Sequence, residues 1–517
     1  MEFRSLDGSG NNLADPTTNA IDTAFIRLAD PVFADAGRGL VEGPNPRVIS
    51  NVVVGEGDAD IPNPQGLSGM MYAWGQFIDH DINLTADSRT AAPIFITIPQ
   101  DDPTFPGGGF IPMNRAAADG NGQPVNALSG WLDASMVYGS SAEVADKLRG
   151  EDGHMLTSDG NNLPVGLIDP TGENGFSTAQ IGHLAGDERA DENPSLTALQ
   201  TLFVREHNHQ VDRLHAADPC LDGETLYQMA RAIVTAEIAN VTYGEFLPHL
   251  LGDLAPGAWQ GYDASVDPRM TVEFAGAAYR FGHSTVSPET EKLDELGEPG
   301  GTSELRDAFF IAPDLFAADG GADGMLRHLS ADLAQAMDAR LVADLRNFLF
   351  DPPVGIDLAA INIQRGRDLG LPHLNEMREA LHLAPYHDVA GITDDAGTVA
   401  ALRDAFGSVD LVDLWTGGLS ESVMPGAFVG ETFGLIIADQ FARLRDGDRL
   451  WWENQGFDAA TEAAIRHTTL SDLILRNTDT QYLQDDVFTF YERHAEGTEA
   501  MEPDLPQLLI PADTVLA

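Results

Sequence analysis

Five long stretches of this chain carry apolar side chains at helical spacing, and they decide its fold class. They are residues 69–82, 195–216, 224–251, 330–350 and 431–445. In the third, Leu226, Met229, Ala230, Ile233, Ile238 and Phe246 recur near the 3.6-residue period that turns one helical face to a core. Strand signals are few and short, Ile94–Ile98 being the clearest. Turn chemistry separates the segments, as in Pro106-Gly107-Gly108-Gly109 and Gly297-Glu298-Pro299-Gly300-Gly301. No repeat is visible that would build a solenoid or propeller. The pattern predicts a mainly α, single large helical domain with long loops, spanning residues 67–490. Residues 1–66, rich in Asn, Asp, Pro and Gly, read as an extended arm wrapped on that core, and residues 491–517 as a tail.

Charge narrows the partners. The chain carries 81 acidic against 29 basic residues, a formal net charge of −52. Lys147 and Lys292 are its only lysines. Such a surface repels nucleic acid and anionic membranes. It suits salty water, where screening limits self-repulsion, and equally a calcium-rich extracellular setting. The lone Cys220 forms no intrachain disulfide, which fits a bacterial cytosol as well as export routes that do not staple their cargo. No apolar run approaches the ~18 residues of a membrane span. Residues 1–13 show neither a basic start nor an apolar stretch, so no Sec-type leader is expected there.

Five short constellations could carry chemistry. In Trp74-Gly75-Gln76-Phe77-Ile78-Asp79-His80-Asp81, Gln76 and His80 share a helical face, with an acid on either side of the histidine. The plain alternative is a core stripe with a solvated edge. Ser129-Gly130-Trp131-Leu132-Asp133-Ala134-Ser135 offers oxygen ligands at alternate positions. That suits a hard cation if Asp81 adds a carboxylate, or else an Asx/Ser turn. Arg189-Ala190-Asp191-Glu192-Asn193 places Arg189 and Glu192 on one face, as a surface ion-pair cluster also would. Tyr279-Arg280-Phe281-Gly282-His283 ends an apolar run in a histidine that could equally be a satisfied core residue. Asn362-Ile363-Gln364-Arg365 puts Asn362 and Arg365 on one face, and the arginine suits bidentate binding of a carboxylate. His207 and His209 are two apart and on different helical faces, which argues against a second metal there.

Taken in order, these segments resemble the motifs of the animal-type haem peroxidases, in the superfamily that also holds the cyclooxygenases. The matching stretches are residues 74–81, 128–139 (LSGWLDASMVYG), 185–192 (AGDERADE), 279–283 (YRFGH) and 361–370 (INIQRGRDLG). Arg205-Glu206-His207-Asn208 and residues 444–454 (LRDGDRLWWEN) agree as well, so the resemblance runs from about residue 6 to about residue 490.

The resemblance implies haem b and calcium as cofactors. His80 would be the distal base, Gln76 its neighbour and Arg189 the distal arginine. His283 would be the axial ligand to haem iron, with Asn362 accepting a hydrogen bond from its other ring nitrogen. Arg365 would pair with a haem propionate, and Asp79 and Glu192 would form ester bonds to the haem. Asp81, Ser129, Trp131 (by its carbonyl), Asp133 and Ser135 would bind calcium. Asn193 departs from the methionine that forms a third, sulfonium link in some members, so two links are the most expected. The implied activity is reduction of hydrogen peroxide coupled to oxidation of small anions (bromide, iodide, thiocyanate) or phenols, outside the cell or at its surface. A fatty-acid oxygenase of the same superfamily is disfavoured: three residues before His283 stands Arg280 instead of a radical-forming tyrosine, and Tyr279 is one position off. A non-catalytic matrix or adhesion protein is disfavoured by the intact set Gln76, His80, Arg189, His283 and Asn362.

Overall fold

The structure is a computed structural model and describes residues 2–55, 61–168, 180–347 and 356–491. Residues 492–517, nearly all of the expected tail, lie outside the described residues.

Four of the five periodic segments form helices close to their expected bounds: Met70–Ile82, Pro194–Ala217, Gly223–Val241 and Glu431–Asp446. The third continues through a π-helical turn, Thr242–Phe246, into Leu247–Leu251. Helix ends follow capping chemistry. Asn193 and Asp222 accept hydrogen bonds from the Leu196 and Thr225 amides, and Pro194 opens the first of these helices. The helix Leu358–Leu369 is capped by Asp357 and stops at Gly370 in the left-handed conformation (φ 68°).

Segment 330–350 departs from expectation. One helix, Gly321–Ala331, ends there and a short one, Ala343–Asn347, follows; residues 348–350 lie outside the described residues. Tertiary pairing overrides the periodicity. Asn63 N–H bonds the Ala334 carbonyl, Ala334 N–H the Leu67 carbonyl, and Gly69 N–H the Asp332 carbonyl. Backbone committed to neighbouring chain in this way cannot also close helical turns.

The described strands form two-stranded antiparallel ribbons, including Ile94–Ile98 on Gly109–Met113. The core is one large cluster, with a small satellite around Val211, Leu226 and Ala230. At its centre Trp74 and Phe77 meet Phe203, the Phe77 and Phe203 rings stacking at 5.2 Å. That contact fixes the His80 helix against helix Pro194–Ala217. Its other side meets the 3₁₀ turns Ala278–Ser284: a Cβ on Gly75 would touch Phe281 and Phe246 at 3.6 and 3.7 Å. Residues near the N-terminus contact later segments of the chain. Arg4 pairs with Asp448, and the Gly8 carbonyl accepts the Trp131 indole N–H at 3.0 Å. The N-terminal stretch is not extended throughout, since Pro46–Ile49 is helical and runs into a π turn.

Candidate functional site

The Met70–Ile82 helix is apolar on nearly every face and is therefore buried, which places its few polar side chains inside the protein. His80 is 4% exposed. Its Nδ1 lies 3.9 Å from Asp187 Oδ1 and its Nε2 lies 3.8 Å from Glu192 Oε2. Arg189 comes to the same place on the 3₁₀ turn Glu188–Asp191. Asp187 caps that turn and grips the guanidinium at Nε and Nη2, at 2.8 and 2.9 Å; Nη2 also donates to the Asn83 carbonyl. Burial opposes the charge on Arg189, but the Asp187 carboxylate outweighs it and raises the arginine above its ordinary value. Burial likewise works against ionised Asp187, and the adjacent guanidinium overcomes it, holding the carboxyl below its usual range. Both members of the pair stay charged.

Gln76 is fixed from two sides. Its Nε2 donates to Glu192 Oε2 at 3.0 Å and its Oε1 accepts from Asn193 Nδ2 at 2.8 Å. Asn193, noted from sequence only as a departure, thus caps a helix and orients Gln76 together. Asp79 accepts from Asn83 Nδ2, and its charge is felt by Arg189 and by Tyr279. The structure therefore gathers Gln76, His80, Arg189 and Glu192, with Asp79 beside them.

His283 stands on the Ala278–Ser284 turns, with Asn362 Nδ2 2.8 Å from its Nδ1. The pairing is as expected, but its polarity is reversed. Arg280 Nη1 donates to Asn362 Oδ1 at 3.0 Å; because a guanidinium only donates, the amide turns its NH₂ toward the ring. Arg365 is fully buried. Its Nη atoms donate to the Asn114 carbonyl, Asp368 and Asp87.

Asp81 and Ser129-to-Ser135 meet as the sequence implied. Asp81 Oδ2 accepts from the Asp133 and Ala134 amides at 3.0 Å, and Oδ1 from the Ser135 amide and hydroxyl. Ser129 Oγ donates to Asp133 Oδ2 at 2.7 Å. Both carboxylates are 0% exposed. Burial and the neighbouring Asp133 push Asp81 up to about 8, and burial pushes Asp133 up despite Arg231 and Arg4. Two buried carboxylates beside hydroxyl and carbonyl oxygens are a donor set for a hard cation, whose charge would remove that penalty. The set fits calcium.

The residues also fit a haem. A Cβ on Gly282 would meet nothing within 4 Å, so there is room beside His283. Asn83 Oδ1, Thr85 Oγ1 and Arg365 Nε are buried and have no hydrogen-bond partner among the described residues. Polar atoms buried without partners await a group that is not protein. Asp187, Asn83 and Thr85 escaped sequence reasoning. The Asp-x-Arg spacing at the start of a 3₁₀ turn was a usable signal for Asp187; the other two gave none.

The sequence profile of the family described as animal haem peroxidase matches residues 3–488. Peroxinectin A of Dictyostelium discoideum is 33% identical over 518 residues, covering 94% of this chain and 96% of that protein. The solved structure of peroxidase A from Dictyostelium discoideum superposes with a TM-score of 0.86 at 32% identity, over 95% of this chain and 100% of that one. A fatty acid alpha-dioxygenase of Arabidopsis thaliana, at 21% identity and a TM-score of 0.81 over 97% of this chain and 85% of its own, shares the fold. With its motifs and helical core in agreement, the chain belongs to the animal haem peroxidase family and is a haem-dependent peroxidase.

Proposed function

We propose that this enzyme reduces hydrogen peroxide with His80 as proton shuttle and Arg189 as fixed cation, and oxidises bromide, iodide, thiocyanate or phenols. The observation that carries the reading is the buried cluster around His80. Its imidazole and the Arg189 guanidinium share one carboxylate, Asp187, at 3.9 and 2.8 Å, and its helix packs against the turns that bear His283. Bound haem, held by His283, would supply the electrons that cleave the O–O bond. His80 takes a proton from one peroxide oxygen and returns it to the other, a task suited to an imidazole. Arg189 stabilises negative charge on the departing oxygen, and Asp187 keeps the guanidinium in place without reorganisation. Gln76, held by Glu192 and Asn193, presents a set amide beside His80. Arg365 Nε and the Thr85 hydroxyl would donate to a propionate.

Asp79 and Glu192 would form the two ester links, and Asn193 no sulfonium link. Asp81, Ser129, the Trp131 carbonyl, Asp133 and Ser135 would hold calcium, tying the residue after His80 to a rigid loop. With haem held by His283, Asn362 would accept from the imidazole N–H at Nδ1, its amide oxygen toward the ring. Domain limits of 1–66, 67–490 and 491–517 fit the arm contacts, and an extracellular or cell-surface location fits the acidic surface. No helix among the described residues is long and apolar enough to cross a membrane. Steady-state turnover of holoprotein with peroxide and each of chloride, bromide, iodide, thiocyanate and a phenol tests the reading. Turnover with none of these reductants would refute it.

A further inference from the structure

The two tryptophans of residues 444–454 take no part in the site above, yet aromatic rings connect them to it. Tyr279, four residues before His283, lies 5.6 Å from Phe441 between ring centroids. Phe441 lies 5.9 Å from Tyr243, Tyr243 5.0 Å from Trp451, and Trp451 6.3 Å from Trp452. At the far end Trp451 and Trp452 are 4% and 6% exposed, and Arg466, 47% exposed in its side chain, covers Trp452 and pairs with Glu453.

Polar partners decide where along this line a missing electron would rest. Oxidation of a tyrosine requires its proton to leave. The Tyr279 hydroxyl is buried without an acceptor among the described residues, and the Tyr243 hydroxyl faces only the Phe441 carbonyl, which cannot take a proton. Arg445 near Tyr243 and Arg466 over Trp452 disfavour positive charge on those rings. Trp451 differs. Its indole N–H donates to the Glu453 carboxylate at 3.1 Å, an anion that stabilises a hole and accepts its proton. Glu453 keeps 21% of its side chain in solvent.

We propose that Trp451, buried beneath the exposed Arg466 and half-buried Glu453, is a second oxidation site that takes electrons from positively charged one-electron donors docked on the surface above it, outside the haem cleft. This rests on the peroxidase reading above. Hydrogen peroxide is the oxidant: with two electrons and two protons it yields two waters, so two donors each lose one electron per turnover. Electrons pass from the donor to Trp451 and inward through Tyr243, Phe441 and Tyr279. The indole proton moves to Glu453 on oxidation and returns on reduction. The formal charge of −52 draws cationic donors to the protein.

The test uses holoenzyme, peroxide and ferrocytochrome c as a cationic donor too large for a haem cleft, with iodide as the small-donor control. Trp451→Phe should slow cytochrome oxidation about tenfold or more, and Glu453→Gln should slow it too, while both keep iodide turnover near wild type. With no donor present, spin trapping and peptide mapping should place the adduct on Trp451, and Tyr243→Phe should diminish it. Unchanged cytochrome oxidation in both Trp451→Phe and Glu453→Gln, or adducts only elsewhere, overturns the proposal. Wild-type protein inactive toward iodide as well as cytochrome would instead count against the peroxidase reading.

Discussion

Asp187→Asn isolates the electrostatic support of the site, because it preserves shape and removes one charge. Asp187 is 3% exposed and binds the Arg189 Nε and Nη2. Breaking a buried pair by neutralising one partner costs about 3–5 kcal/mol, because the other charge is left uncompensated. The amide still caps the turn and accepts one guanidinium N–H, so about 3 kcal/mol is expected. The loss should depend on pH. Arg189 holds the folded-state pKa of Asp187 below its unfolded value, so the wild-type advantage is present above about pH 4 and fades as pH falls. Urea unfolding of both proteins at pH 7 and in acid measures this: the curves should separate at neutrality and converge toward low pH. Stopped-flow mixing with peroxide should show a slower reaction in the variant, since Arg189 is no longer fixed. A variant as stable as wild type at pH 7, with an unchanged peroxide rate, would refute the role given to the pair.

Other substitutions probe the remaining parts. His283→Ala should lose haem or leave it inert, read from the haem absorbance of purified protein; full occupancy with normal turnover would remove His283 from the site. Asp133→Ala, or prolonged chelation, should lower both activity and thermal stability and release calcium measurable by elemental analysis, because the loop supports His80 through Asp81. After peroxide treatment, haem should stay on the wild-type polypeptide in acid–organic solvent. Asp79→Val should leave one link by peptide mass and the Asp79→Val/Glu192→Gln double variant none.

Much of this was legible in sequence because the helices that matter are strongly periodic. The Met70–Ile82 helix, expected one residue longer at its start, fixes where Gln76, Asp79 and His80 stand. Segment 330–350 misled because its periodicity is real but its backbone pairs with residues 61–69, a long-range competition that local pattern does not encode. The candidate site residues, and the His283–Asn362 and Asp81–loop pairings, came from the motifs, whereas their finer connections did not. That Asp187 grips Arg189, that Asn193 turns Gln76, and that Arg280 takes the oxygen of Asn362 all depend on which atom faces which. Buried polar atoms left without protein partners, as at Asn83 and Thr85, are visible only once the fold is closed around them.

The central claim is that His80 and Arg189 together activate peroxide. Stopped-flow reaction of ferric holoenzyme with hydrogen peroxide tests it most directly, comparing wild type with His80→Ala and Arg189→Ala. Each variant should bind haem normally and react about 10²-fold more slowly or worse, the scale of losing a general base or a fixed charge. Haem-replete variants that react with peroxide at the wild-type rate would contradict the account.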